Sequence, residues 1–187
     1  MDRTMVALGG GDIAYAELGA GASALFVHGV LINADLWRNA MAGVADVRRC
    51  IAPDLPAHGA SPAGAEADLS LCAMAEMLEE LCVSLDLRQV DLVGNDTGGA
   101  LCQVFAARHP ERLRTLTLTN CDVHENFPPE VFKPSIELAA QGAFGPLVAA
   151  LAGDMDLARG EVGFAQGYQH PEGLSDELLQ SYVGRCV

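Results

Sequence analysis

An aspartate flanked by glycines constrains this chain more than any other feature. Residues 90–103 read VDLVGNDTGGALCQ, in which a short apolar strand pattern runs into GNDTGG and good helix formers follow. Gly94 and Gly98 stand two positions before and two positions after Asp96, and small residues at those places allow the backbone to fold back sharply. Asp tolerates the positive φ of such a turn better than most residues do. The pattern therefore predicts that Asp96 is a nucleophile at the tip of a strand-to-helix turn.

A purely structural interpretation of Asp96 is also open. An aspartate at the start of a helix can accept a hydrogen bond from an amide of the first helical turn, and here Gly98 or Gly99 would be the donor. Gly99 would in addition let the helix pack closely against the sheet. From these residues alone Asp96 is either a nucleophile or a helix cap.

Strand and helix patterns alternate through the first two thirds of the chain. This order predicts an α/β fold with a mostly parallel sheet and helices on both faces. After about residue 125 only helical patterns remain, so we expect a core over residues 1–125 and a second, helical segment over residues 126–187. The predicted strands lie in MVALGGGDIAYAELG (two), SALFVHG, RRCIAPD, QVDLVGN and LRTLTLTN, and the predicted core helices lie in NADLWRNAMAGVA, residues 71–85 and TGGALCQVFAARH.

Composition restricts the partners and the compartment. The net charge is −14, which argues against nucleic acid and against an anionic membrane surface as partners. No apolar run approaches the ~20 residues of a membrane span, and the start of the chain has no export signal, so we expect a cytoplasmic protein. The cysteines lack metal-ligand spacing, so we expect no metal or other cofactor and buried, reduced thiols. They are Cys50, Cys72, Cys82, Cys102, Cys121 and Cys186.

Three segments in a fixed order carry a resemblance to a known family. They are LFVHGV, IAPDLPAHGASP and VGNDTGGALCQVFAARHPERLRTLTLTN. Together they resemble the α/β-hydrolases, in the branch that uses an aspartate nucleophile, as haloalkane dehalogenases and epoxide hydrolases do. The resemblance extends from about residue 11 to about residue 125, and the helices that follow resemble the start of that family's cap.

The resemblance implies a role for each residue around the turn. Asp96 would be the nucleophile, and the backbone amides of Val30 and Thr97 would form the oxyanion hole. His28 and Gly29 would shape the loop before Val30, while Asp54 and His58 would support another loop of the fold. The glycines that would shape the turn itself are Gly94, Gly98 and Gly99.

The acid that orients the family's histidine follows the next strand in some members. Asp122 stands at that place, although an aspartate that merely ends a strand in a turn is an equally good interpretation. The base histidine of the family has no counterpart here, since His109, His124 and His170 have no motif around them. We therefore expect this chain to be the amino-terminal part of a hydrolase and incomplete for turnover.

The implied reaction is hydrolysis of a small apolar substrate through an alkyl-enzyme ester. An ionised carboxylate can attack a saturated carbon that bears a halogen or belongs to an epoxide. Thr97 stands where dehalogenases have tryptophan, Val30 where they have asparagine, and Leu31 where epoxide hydrolases have proline, so the electrophile is left open. The alternative is a non-catalytic binding or interaction protein with the same fold. An exposed edge at LRTLTLTN would also permit self-association.

Overall fold

The computed structural model describes residues 1–123 and 126–184. Contacts between residues divide the chain into two compact units, residues 1–123 and residues 124–187. The boundary expected from the sequence, after residue 125, stays a prediction. His124 and Cys186 lie outside the described residues.

The first unit is built on a six-stranded, mostly parallel sheet, and the predicted α/β class is confirmed. The strands are β1 (Thr4–Leu8), β2 (Gly11–Leu18), β3 (Ala22–Val27), β4 (Arg48–Pro53), β5 (Val90–Asp96) and β6 (Leu113–Cys121). Their order in the sheet is β1-β2-β4-β3-β5-β6. β2 pairs antiparallel with β1 and β4, whereas β3 pairs parallel with β4 and β5, and β5 pairs parallel with β6.

Helices cover both faces of this sheet, as the sequence predicts. Alternate residues of β3 face opposite sides of the sheet. Leu25 and Val27 pack with residues of the helices Leu71–Ser84 and Thr97–Arg108, and Phe26 packs on the other face with Trp37 and Met41. Both faces of a central parallel strand are thus buried, which explains its continuous apolar sequence. The helices of this unit are α1 (Arg38–Val44), α2 (Leu71–Ser84) and α3 (Thr97–Arg108).

The segment after Asn33 differs from its prediction. A 3-10 helix, Ala34–Trp37, precedes α1, where the sequence favours a single helix. Asn33 caps this segment, because its side-chain oxygen accepts a hydrogen bond from the Asp35 amide at 2.9 Å. Short 3-10 turns are frequent at helix starts, and periodicity alone does not separate them from the helix that follows.

The cysteines among the described residues are unbridged, but they are not uniformly buried. Cys50, Cys82 and Cys102 are buried and Cys121 is half-buried. The expectation of burial is wrong for Cys72, which is exposed because it lies in the first turn of α2, to the side of the buried positions. Burial raises the pKa of the Cys82 thiol to about 12, so that thiol stays protonated and unreactive at neutral pH.

The second unit is helical, and no strand occurs in residues 126–184. Its core contains Leu151, Leu179 and Tyr182, and the Tyr182 ring contacts that of Phe164 with 5.6 Å between their centroids. In the described part of the chain no single helix is long and apolar enough to cross a membrane. The helices Lys133–Ala140 and Phe144–Gly153 reach that size only as a pair bent by 108°. The helices are α4 (Lys133–Ala140), α5 (Phe144–Gly153), α6 (Met155–Arg159) and α7 (Asp176–Val183).

β6 is an edge strand, and we expect it to mediate self-association of this chain. It is exposed along most of its length, with Leu116 at 40% and Leu118 at 37% exposure. An exposed apolar edge offers unpaired amides and carbonyls to another strand. Sedimentation velocity should therefore detect dimers or larger species, which Leu116→Lys should reduce. Val83→Lys, which places a charge at an exposed valine of α2, is the control; a compact wild-type monomer would contradict the expectation.

Candidate active site

Asp96 lies at a sharp turn between β5 and α3. Its backbone has φ +55° and ψ −135°, a conformation that non-glycine residues rarely adopt and that carries strain. The Asp96 side chain accepts no capping hydrogen bond from Gly98 or Gly99. Its donors are the Val30 amide and the adjacent Thr97, so the helix-cap interpretation does not describe this structure. Strained backbone conformations are concentrated at functional sites, where the surrounding structure holds them in place.

The predicted glycines allow two loops to approach closely at this turn. A β-carbon on Gly98 would overlap the carbonyl oxygens of Val27 and His28, at the end of β3. A β-carbon on Gly29 would overlap the Asp96 carboxyl group. Added β-carbons at the other two would also collide, at Gly94 with Cys102 and at Gly99 with Cys121. The glycines thus bring the loop after β3 against the Asp96 side chain.

The amide of Val30 contacts the carboxylate across this approach. Val30 N–H donates to Asp96 Oδ2 at 3.1 Å. Burial raises the pKa of Asp96, the negative charge of Asp122 raises it further, and hydrogen bonds from Val30 and Thr97 oppose both effects. The site therefore holds a carboxylate that is partly desolvated and partly stabilised by backbone donors.

Asp122 lies beside this group, directly after β6. It is buried, and its Oδ2 is 3.5 Å from Thr97 Oγ1, at the long limit of a hydrogen bond. Gln103 of α3 donates from Nε2 to the Asp122 carbonyl oxygen at 2.8 Å, which fixes the backbone there. Burial raises the pKa of Asp122, and the Thr97 hydrogen bond opposes that shift. The structure thus brings Asp96, Thr97 and Asp122 together.

His28 is fully buried and both of its ring nitrogens are engaged. Nδ1 is 2.7 Å from the Gly29 carbonyl oxygen, to which it donates, and Nε2 accepts from the Leu55 amide at 2.9 Å. This pairing fixes the neutral tautomer with hydrogen on Nδ1. Burial is the main cause that lowers the pKa of His28 to about 3, and the nearby His58 ring lowers this pKa further. His28 therefore joins the loop after β3 to the loop after β4 and offers no free lone pair for proton transfer.

Asp54 organises the loops behind the site. Its Oδ1 accepts from the Ala34 amide at 2.9 Å, and its Oδ2 accepts from the Ala60 amide at 2.9 Å and from Arg3 Nε at 3.0 Å. Loop support is the role expected for Asp54, whereas its contact with Arg3 was not anticipated. An aspartate inside the apolar stretch IAPDLP needs a cationic partner if it is buried as an ion, but the sequence does not show which cationic residue that is.

The other described histidines have partners of their own. His58 Nδ1 is 3.0 Å from the Pro56 carbonyl oxygen, His109 packs against Phe105, and His170 pairs with Glu172. Within residues 1–123 and 126–184, no histidine has a hydrogen bond or ion pair with Asp96 or Asp122. The same residues contain no group of His, Cys, Asp and Glu side chains that could hold a metal ion.

Known proteins match this chain in both sequence and structure. A haloalkane dehalogenase of Mesorhizobium japonicum is 37% identical over 112 residues, which are 59% of this chain and 36% of that protein. A 2-hydroxymuconate semialdehyde hydrolase of Pseudomonas sp. strain CF600 is 36% identical over 105 residues, or 54% of this chain and 37% of that protein. The chain thus spans a little over a third of the length of these curated relatives.

Solved structures share the fold over nearly the whole chain. The epoxide hydrolase CorEH matches with a TM-score of 0.76 at 22% identity, over 98% of this chain and 67% of that one. A putative ancestral haloalkane dehalogenase matches with a TM-score of 0.73 at 25% identity, over 97% of this chain and 63% of that one. The family model described as alpha/beta hydrolase fold matches residues 25–157. With this match over more than half of its length, the chain belongs to the α/β-hydrolase family.

Proposed function

We propose that this protein is a hydrolase whose Asp96 carboxylate attacks a saturated carbon of a small apolar substrate. The observation that carries the proposal is the position of the Asp96 side chain. It projects from a strained turn and accepts a hydrogen bond from Val30, which belongs to another loop, instead of capping its own helix. The dehalogenase and epoxide hydrolase among the similar proteins support a carbon–halogen bond or an epoxide as the target.

The first step follows from the orientation of the carboxylate. Val30 N–H holds Oδ2, so Oδ1 is the oxygen that attacks. A bond forms from Oδ1 to the substrate carbon while the carbon–halogen or carbon–oxygen bond breaks, and its electron pair leaves with the halide or with the epoxide oxygen. The product is an ester of Asp96. No base is needed, because the nucleophile is already ionised.

The second step is attack of water on the carbonyl carbon of that ester. Negative charge then develops on the carbonyl oxygen of the ester, where the Val30 and Thr97 amides would stabilise it. The bond from the carbonyl carbon to the alkoxy oxygen then breaks, the alkoxy oxygen takes a proton and leaves as the alcohol, and the Asp96 carboxylate is regenerated. As the resemblance implies, we assign Asp122 to orient the base histidine of the complete hydrolase, which removes a proton from the water and for which this chain has no motif. The raised pKa of Asp96 adds a condition on the first step: alkylation should accelerate as pH rises and Asp96 ionises, and then reach a plateau.

Alkylation of Asp96 tests this proposal directly. We expect small alkyl bromides or epoxides to add their mass to the peptide that contains Asp96. Asp96→Asn should slow this labelling by about 1,000-fold or more, because it removes the nucleophile. Mass spectrometry of the digested protein measures both. Asp122→Asn is the matched control and should still be labelled, since the first step needs no base.

Three outcomes would contradict the assignment. Asp96→Asn could be labelled as fast as the wild type, or label could spread evenly over exposed carboxylates. A folded wild-type sample that reacts with no halide or epoxide would favour the non-catalytic binding protein instead. Circular dichroism of each variant establishes that the sample is folded.

A further inference from the structure

The loop that carries Val30 needs external support. Residues 29–33, here called the oxyanion loop, connect β3 to the 3-10 helix Ala34–Trp37. Leu31 within it has φ +60°, which costs energy for a residue with a branched side chain. A strained loop keeps such a conformation only where its surroundings determine it. The position of the Val30 amide therefore depends on what holds the two ends of the loop.

Different groups hold the two ends. At the start, the His28 ring bonds both Gly29 and Leu55. At the far end, the Ala34 amide donates to Asp54 Oδ1 at 2.9 Å. Asp54 is fully buried, so the position of its carboxylate depends on its other donors, the Ala60 amide and the Arg3 side chain.

Arg3 connects these groups at the far end. Its Nε donates to Asp54 Oδ2 at 3.0 Å, one terminal nitrogen donates to Asp35 Oδ1 at 3.2 Å, and the other lies 3.5 Å from Asn33 Oδ1. The Arg3 side chain is only 9% exposed. A guanidinium presents several donors in a rigid plane, so one side chain can fix several acceptors in a set geometry. A lysine has a single nitrogen and cannot reproduce that arrangement.

We propose that Arg3 is a positioning residue that holds Asp54 and Asn33, and through them the oxyanion loop, so that the Val30 amide stays on the Asp96 carboxylate. This inference rests on the proposed function of Asp96. Arg3 itself does not touch the reacting atoms. Its effect is transmitted by the Ala34 amide on Asp54 and by the cap that Asn33 provides to Asp35.

The competing explanation is that Arg3 stabilises the whole fold without any particular effect on the loop. Two local measurements separate these explanations, and neither requires a reaction. The first is the exchange rate of the Val30 amide hydrogen, relative to that of the core residue Leu78 in α2. The second is the pKa of the Asp96 carboxyl group, followed by carbon NMR, because the Val30 hydrogen bond lowers that pKa.

The test compares Arg3→Met with the wild type. We expect the Val30 amide to exchange about tenfold faster or more relative to Leu78, and the pKa of Asp96 to rise. Arg3→Lys should fall between the two, because it keeps the charge near Asp54 but loses the planar set of donors. Arg108→Met removes an exposed ion pair with Glu76 and is the matched control, with both quantities unchanged.

Equal acceleration of Val30 and Leu78 exchange, with an unchanged pKa of Asp96, would overturn the inference. If Arg3→Met does not fold, Arg3→Lys decides by the same two measurements. Alkylation of the wild-type protein is measured separately. A failure there rejects the nucleophile assignment, whereas the exchange and pKa results continue to report on Arg3 alone.

Discussion

Lowering the pH from 6.5 to about 4 is expected to reduce the free energy of unfolding by about 3 kcal/mol through His28 alone. In the folded protein, burial lowers the pKa of this ring to about 3, from an ordinary value of 6.5. Between these values the unfolded chain binds a proton that the native state does not. Stability from His28 is therefore complete above pH 6.5 and is lost as the pH falls toward 3.

The structure gives the reason for this low pKa. Protonated His28 would carry a charge in a fully buried position, and Nε2 could no longer accept from the Leu55 amide. Burial also lowers the pKa of His58, so that ring acts in the same direction. The raised pKa values of Asp96 and Asp122 act in the opposite direction, because acid relieves the cost of burying those charges.

A comparison with His28→Gln isolates the effect. Urea unfolding at a series of pH values gives the slope of stability with pH for each protein. His28→Gln should be less stable at neutral pH, because it loses one of two hydrogen bonds, and should have a flatter slope between pH 6.5 and about 4. Asp96 and Asp122 are common to both proteins, so the difference in slope reports on His28 together with its effect on the neighbouring His58. Identical slopes would refute a neutral, buried ring.

Asp54→Ala is expected to destabilise the first unit by about 3–5 kcal/mol. The substitution leaves the Arg3 charge nearly buried without this carboxylate, and it leaves the amides of Ala34 and Ala60 without their acceptor. Burial disfavours the Arg3 charge, while Asp54 and Asp35 together raise its pKa above the ordinary value. Removing the buried partner therefore removes the interaction that keeps the guanidinium stable in this position.

The pair can be measured by a double-mutant cycle. Arg3→Met together with Asp54→Ala should cost less than the sum of the two single substitutions, because neither charge is then left unpaired. Urea unfolding of the four proteins gives the interaction energy. Additive effects would mean that Arg3 and Asp54 do not act together. A favourable interaction energy would support the proposal that Arg3, through Asp54, connects the amino-terminal segment to the oxyanion loop.

Local sequence accounted for the elements but not for the contacts between them. α2 illustrates what periodicity can predict, since Ala75, Leu78, Leu81 and Cys82 recur at helical spacing and are all buried. The same pattern does not reveal which neighbouring residues face water, and Cys72 was wrongly expected to be buried. The break between the 3-10 helix Ala34–Trp37 and α1 was likewise invisible, because both have the same apolar spacing.

The turn at Asp96 could be predicted because its requirements are local. Glycines at fixed offsets and a strand followed by helix formers lie within a few residues of each other, so the chain specifies the sharp turn by itself. The contact from Val30 to Asp96 joins residues 66 positions apart, and only the resemblance to a family anticipated it. The contact from Arg3 to Asp54 spans 51 positions and was not anticipated at all.

The sequence by itself determined the α/β class, the alternation of strands and helices and the place of the strained turn, because propensity, periodicity and glycine spacing act over short distances. Only the tertiary structure decided which donors meet the Asp96 and Asp54 carboxylates. These hydrogen bonds depend on how β3, β4 and β5 align in one sheet and on which side chains are buried between the loops that follow them. A buried charge must find its partner in space, and its position along the chain does not reveal where that partner is.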